Sequence, residues 1–186
     1  LLGTCVMPSE HPRTELNHAW WNERAGFHRQ TSFYQKHIDR LTRGDLSLLP
    51  LEVSELGDIR GLSVLHLQCH IGTDTLSLSR LGATVTGVDF SEVAIQEARQ
   101  LALDLDIPAT FERCEIESLQ TRYSEAFDLV FTSHGVLSWL PDLNEWARQI
   151  SGCVVPGGQV YLSESHPLVW ALAEDSPVQG TSLRLE

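Results

Sequence analysis

Leu62-Ser-Val-Leu-His-Leu-Gln-Cys-His-Ile-Gly-Thr-Asp-Thr-Leu-Ser-Leu-Ser-Arg-Leu-Gly-Ala-Thr-Val-Thr-Gly-Val-Asp89 changes its apolar rhythm twice. Leu62–Leu67 has the dense apolar content of a strand, and Thr73–Leu81 follows a helical period. Gly82 suits the left-handed residue that closes a helix, and Ala83–Asp89 resumes as a strand. Outward from there, Ser91 is a good N-cap for a helix whose Ala94, Ile95, Ala98, Leu101, Ala102 and Leu105 recur at helical spacing and end near Pro108. Ala109–Glu112 and Phe127–Thr132 read as a third and a fourth strand. Leu143, Trp146, Ala147, Ile150 and Val154 mark a helix closed by Pro156-Gly-Gly158, and Gln159–Glu164 is a fifth strand. Strands alternating with helices imply right-handed crossovers and an α/β fold with a mainly parallel sheet covered on both faces. Residues before Gly61 lack this alternation. The aromatic segment Asn17–His28 and the helix-like run to about Arg43 read as a helical N-terminal cap, so the chain divides into a cap, 1–60, and an α/β domain, 61–186.

The 186 residues are 42% hydrophobic, enough for one core. A formal net charge of −12 argues against binding nucleic acid, because affinity for a phosphate backbone rests on Lys and Arg. Such a field suits a small neutral or cationic partner better. No apolar run approaches the roughly 20 residues of a membrane span, so no membrane partner is expected. The N-terminal stretch has no secretory layout, so the expected location is cytoplasmic. Cys5, Cys69, Cys114 and Cys153 form no CxxC pair and read as reduced thiols. His66, Cys69 and His70 superficially resemble a ligand set, but alternate strand residues face opposite ways and no fourth ligand has a useful spacing, so no metal is expected.

Ligands of an open parallel sheet bind beyond the carboxyl ends of its strands. The candidates therefore follow each strand: Gln68 to Asp74, Asp89 to Ser91, Cys114 to Ile116, Ser133 to Gly135 and Glu164 to His166. Asp89 is the most informative, since an acid ending the second strand can accept both hydroxyls of an adenosine ribose. That signal fits NAD as well as S-adenosylmethionine. A dinucleotide asks for G-x-G-x-x-G, whereas this chain has Gln68 and His70 where two glycines would stand and keeps only Gly72. A cofactor without phosphate is more compatible with that turn.

The run Val64–Ser91 resembles the class I S-adenosylmethionine-dependent methyltransferases, and in particular a bacterial subgroup whose first turn reads like LQCHxGxDTLSLARLGA. Phe127–Asp142, Pro156-Gly-Gly158 and Ala19-Trp-Trp-Asn-Glu-Arg24 are further matches, so the likeness covers about residues 17–170. The resemblance implies a Rossmann-like three-layer α/β/α sandwich and S-adenosylmethionine as cofactor, with S-adenosylhomocysteine as its product. It places the methionine part against Gln68, Cys69, His70 and Gly72, the ribose at Asp89 with Ser91 beside it, and the adenine beside Phe90 and Ile116. Glu115 stands where the family usually has Asp, and Ser133 would close the pocket near the sulfonium. His70 has a second reading, as a purely structural residue in a left-handed turn position.

His134 and His166 follow the fourth and fifth strands, where either could orient or deprotonate the methyl acceptor; a loop histidine satisfied by its neighbours is the other reading. Glu164 is a comparable acceptor-side candidate. Trp20 and Trp21 either roof the acceptor pocket or anchor the N-terminal helix. The family's seven-strand sheet ends in an antiparallel hairpin, for which the stretch after Glu164 is too short. The expectation is a longer parent protein, or a homo-oligomer whose second chain covers the fifth-strand edge. The function expected is methyl transfer to a small molecule. Its rivals are a methyltransferase-like binding module without activity and an NAD(P)-linked oxidoreductase.

Overall fold

The structure, a computed structural model, describes residues 12–166. The first residues of the expected cap and the region on which the loss of the last two strands turns lie outside that range. Five strands, β1 (Ser63–Leu67), β2 (Thr84–Asp89), β3 (Thr110–Arg113), β4 (Phe127–Ser133) and β5 (Val154–Ser163), form one sheet in the order β3-β2-β1-β4-β5. Every pairing is parallel, and β1 lies at the centre, with Val64 opposite Val85 on one side and Leu129 on the other. The strand order reverses between β1 and β4, which opens a crevice at their carboxyl ends.

Seven helices accompany the sheet among the described residues: α1 (Pro12–His28), α2 (Ser32–Thr42), α3 (Pro50–Leu56), α4 (Thr73–Arg80), α5 (Glu92–Leu105), α6 (Leu119–Arg122) and α7 (Leu143–Cys153). Alternation along the strands divides the core between two faces. Leu65, Leu67, Val88 and Val130 pack with Leu119, Ile150 and Cys153. Val64, Val85, Leu129 and Phe131 pack with Leu78, Leu48 and Ile59. The segment before the sheet shares this core rather than resting on it. Leu41 of α2 is buried with Leu76, Ile95 and Phe111, and Arg29 at the end of α1 bridges Glu97 and Asp104 of α5 at 2.6 and 2.9 Å.

The local signals explain most boundaries. The Ser91 hydroxyl accepts the Ala94 N–H at 3.1 Å and so starts α5. Gly82, at φ 94°, turns the chain out of α4. α5 ends at Leu105, and Asp106 takes the left-handed conformation at φ 51° just before Pro108. The stretch after β3 holds a short 3₁₀ turn, Ile116–Ser118, and α6. One reading changes. Pro156-Gly-Gly158 does not close a helix before the last strand, because β5 begins directly after α7 at Val154 and carries that segment inside it. Phe127 pairs with Val154 but Leu129 with Gln159, so the extra residues bulge out where Pro156 lacks an N–H for the ladder.

Gly72 has a packing role. At φ 79° it precedes α4, and a Cβ built there would lie 2.6 Å from the Phe111 ring and 3.0 Å from the Ala98 Cβ. Gly72→Ala combines a left-handed strain with a steric clash, so urea unfolding should show a loss of about 2 kcal/mol or more. Adding Phe111→Leu should restore part of it; an unchanged midpoint in the single variant would contradict this packing.

Candidate active site

The turn after β1 is unusual because two residues with side chains, Gln68 at φ 50° and His70 at φ 49°, take the left-handed conformation. Each costs about 1–2 kcal/mol relative to the right-handed region. Asp89, at the tip of β2, holds the turn in place. Its Oδ2 accepts the His70 N–H and its Oδ1 accepts the Ser91 N–H, both at 2.9 Å. Burial pushes the Asp89 carboxyl up to about 6, against the pull of these two N–H groups. Each oxygen keeps a lone pair for a further donor.

Two clefts meet at this carboxylate and share Gln68, Asp89, Phe90 and Trp139. The first encloses about 710 Å³ open to solvent, with Val88, Phe90, Ile116 and Trp146 as apolar walls and the Glu115 carboxylate at its side. Burial raises the Glu115 carboxyl, with Arg113 at 3.5 Å pulling the other way. Gln68 Oε1 and Trp146 Nε1 are buried with no hydrogen-bond partner among the described residues.

The second cleft, about 1570 Å³, is lined by Cys69, His70, Ser133 and His134 from the strand tips and by Trp20, Trp21 and Tyr34 from α1 and α2. The indoles of Trp20 and Trp21 line the cleft and also pack on Trp139, with ring centroids 4.9 and 5.2 Å away. His70 lines the same cleft, and its ring nitrogen lies 3.0 Å from that of His28. Burial lowers His28, and it pushes His70 down to about 3, so the pair is neutral and ties α1 to the first turn. His134, at φ 61°, places Nε2 2.9 Å from Oε1 of Glu52, a buried carboxylate of α3.

Four of the sequence candidates lie outside the linings of these two clefts. Gly72 is engaged with Phe111. The Ser91 hydroxyl caps α5 and donates to Asn22 at 2.6 Å. Glu164 accepts the Leu137 N–H at 3.1 Å and so fixes the turn that carries Trp139. His166 is exposed. Sequence reasoning missed Trp139, although Ser-Trp-Leu-Pro141 was part of the motif match. It also missed Tyr34, Trp146 and Glu52. No local pattern marks Glu52, because its partner is far along the chain. Among the described residues, no group of three or more His, Cys, Asp or Glu side chains is arranged to hold a metal ion, and no helix is long and apolar enough to cross a membrane.

Residues 64–158 match the methyltransferase domain family. The chain is 36% identical over 107 residues to the ubiquinone biosynthesis O-methyltransferase of Photorhabdus laumondii, covering 58% of this chain and 44% of that protein. It thus spans about half the length of the curated relatives it matches. Among solved structures it is similar to the DhpI–SAH complex, with a TM-score of 0.65, 25% identity and coverage of 95% of this chain and 80% of that one. An S-adenosylmethionine-dependent methyltransferase from Mesorhizobium loti gives a TM-score of 0.59 at 26% identity, over 74% of this chain and 62% of that one.

The Asp89 environment has a direct readout. Its carboxyl ¹³C signal should titrate near pH 6 in the free protein, and a midpoint near 4 would contradict the burial described. Because the folded value lies above the unfolded one, this group favours folding most at low pH. That contribution is lost as pH rises through about 6.

Proposed function

The chain belongs to the methyltransferase domain family, and from that premise we propose that it moves the methyl group of S-adenosylmethionine onto a small-molecule acceptor, leaving S-adenosylhomocysteine. The cofactor supplies an electrophilic methyl group on a sulfonium. The protein's part is to bind, orient and exclude water, and orientation alone can be worth roughly 7–11 kcal/mol.

One observation carries this reading: a buried carboxylate at the tip of β2, held by two backbone N–H groups, stands where the two clefts meet. Asp89 takes both ribose hydroxyls on its free lone pairs. Phe90 and Ile116 flank the adenine, and Glu115 offers a polar contact along the same cleft. Gln68, Cys69, His70 and Ser133 border the methionine end, with carboxylates and aromatic faces suited to a cation. Trp20 and Trp21 roof the acceptor space, and His134 faces it. Ser91, Gly72 and Glu164 serve this site indirectly through the contacts that fix the surrounding turns.

The first turn weighs against the dinucleotide reading. Its one glycine is spent on helix-to-strand packing, and side chains occupy the positions where a pyrophosphate would need bare backbone. The turn Leu67-Gln-Cys-His-Ile-Gly-Thr-Asp-Thr-Leu76 further supports the bacterial subgroup it resembles. The O-methyltransferase names of the relatives support oxygen as acceptor atom. The net charge of −12 supports a small molecule over nucleic acid.

Calorimetric titration should show S-adenosylmethionine and S-adenosylhomocysteine binding at one site and NAD not binding. Asp89→Ala should weaken both by about 10–100-fold, the loss of charged hydrogen bonds worth ~1.5–3 kcal/mol. Affinity should fall as pH drops below about 6, because proton and ligand compete for the same carboxylate. Binding of NAD alone, or no effect of the substitution, would refute the proposal.

A further inference from the structure

The carboxylate behind His134 has no part in holding a cofactor. Glu52 is 1% exposed and lies in the first turn of α3, with Oε2 accepting the Leu49 N–H at 2.8 Å and Oε1 2.9 Å from His134 Nε2. Burying a carboxylate is expensive unless it is paired. Here burial alone would raise the Glu52 carboxyl, but the His134 ring and the Leu49 N–H outweigh it and hold it below its ordinary value. His134 for its part is bent into a left-handed conformation at the tip of β4, next to Ser133. The strained backbone and the buried partner together fix one ring orientation at the wall of the second cleft. With Nε2 at ion-pair distance from Glu52 Oε1, the proton is favoured on that nitrogen, and the Nδ1 lone pair is the ring's remaining place for a proton.

We propose that Glu52 is the positioning residue of a Glu52–His134 proton-accepting pair, and that the acceptor is an uncharged, hydroxylated planar ring. This rests on the methyltransferase reading and extends it. A neutral aryl amine attacks with a lone pair it already carries, whereas a ring hydroxyl must lose a proton as it is methylated. The flat indoles of Trp20, Trp21 and Trp139 and the Tyr34 ring suit a planar guest. Asp74 and Asp89 in the cleft disfavour an anion, and the one guanidinium there, Arg24, lies over the Trp20 ring at 3.8 Å. In the step, His134 Nδ1 takes the hydroxyl proton and the oxygen lone pair forms the new O–CH₃ bond. The S–CH₃ bond breaks with its electron pair returning to sulfur. The imidazolium, stabilised by Glu52, then releases its proton to water.

The charged and titratable groups facing His134 are Glu52 on α3, Asp74 on α4, Glu164 after β5 and His66 on β1. The Glu52 carboxylate beside it is the main cause of a raised imidazole value, with burial opposing it and Asp74 and Glu164 adding to it. The rate should therefore rise with pH as His134 loses its proton, with a midpoint above the ordinary 6.5.

The test uses the protein with S-adenosylhomocysteine bound for ¹⁵N NMR, and with S-adenosylmethionine and 2-aminophenol for turnover, since that probe offers both acceptor atoms on one ring. The expected results are a His134 tautomer protonated at Nε2, a titration midpoint that drops in Glu52→Gln, and a methyl ether as product. In Glu52→Gln, kcat should fall about 10–100-fold with little change in KM. If Glu52→Gln does not fold, His134→Asn, whose side chain tolerates the left-handed backbone, should bind S-adenosylhomocysteine normally and lose about 10²–10⁴-fold in kcat. A midpoint or rate unmoved by either substitution, an N-methyl product, or no transfer to the probe with the cofactor bound would overturn the proposal. Failure to bind either sulfonium ligand or its product would instead overturn the reading beneath it.

Discussion

Asp89 shapes the centre of this molecule before any ligand arrives. Its two oxygens take the His70 and Ser91 N–H groups, so one carboxylate holds both the left-handed turn after β1 and the start of α5. Charged hydrogen bonds of this kind contribute roughly 1.5–3 kcal/mol each, enough to offset the strain of Gln68 and His70 in that turn. The burial that makes these bonds strong also penalises the negative charge, which is why the carboxyl titrates high. A ligand that donates hydroxyls to the same oxygens would relieve that penalty, and affinity for such a ligand would be coupled to the order of the turn.

The segment before β1 completes the site rather than decorating it. α1 supplies Trp20, Trp21 and His28, α2 supplies Tyr34, and α3 supplies Glu52. These helices are held through the shared core at Leu41 and Leu48, and through Arg29 between Glu97 and Asp104. On the proposed reading, the strand tips hold the cofactor and supply His134, while the helical cap supplies the aromatic walls and the carboxylate beside that imidazole. Relatives with the same platform and different caps would accept different partners.

Much of the fold was readable because its signals are local. The apolar periods of Val64–Leu67 and Thr84–Asp89, the Ser91 cap and the Gly82 stop each act within a few residues, and together they imply the parallel sheet that is found. The Pro156-Gly-Gly158 segment misled because those residues serve a bulge as well as they serve a turn. Strand-end logic pointed to Asp89, Phe90, Ile116, Glu115, Ser133 and His134, which line the two clefts. It also pointed to Ser91 and Gly72, which lie outside those linings and cap α5 and pack on Phe111. Glu52 and Tyr34 were invisible because their importance lies in pairings made across the fold.

A co-crystal structure with S-adenosylhomocysteine tests the central claim most directly. The account predicts both ribose hydroxyls within about 2.5–3.0 Å of the Asp89 carboxylate oxygens, the adenine between Phe90 and Ile116, and the His70 N–H still bound to Oδ2. A nucleoside seated away from Asp89, or a first turn that reorganises and abandons that carboxylate when the ligand binds, would contradict it.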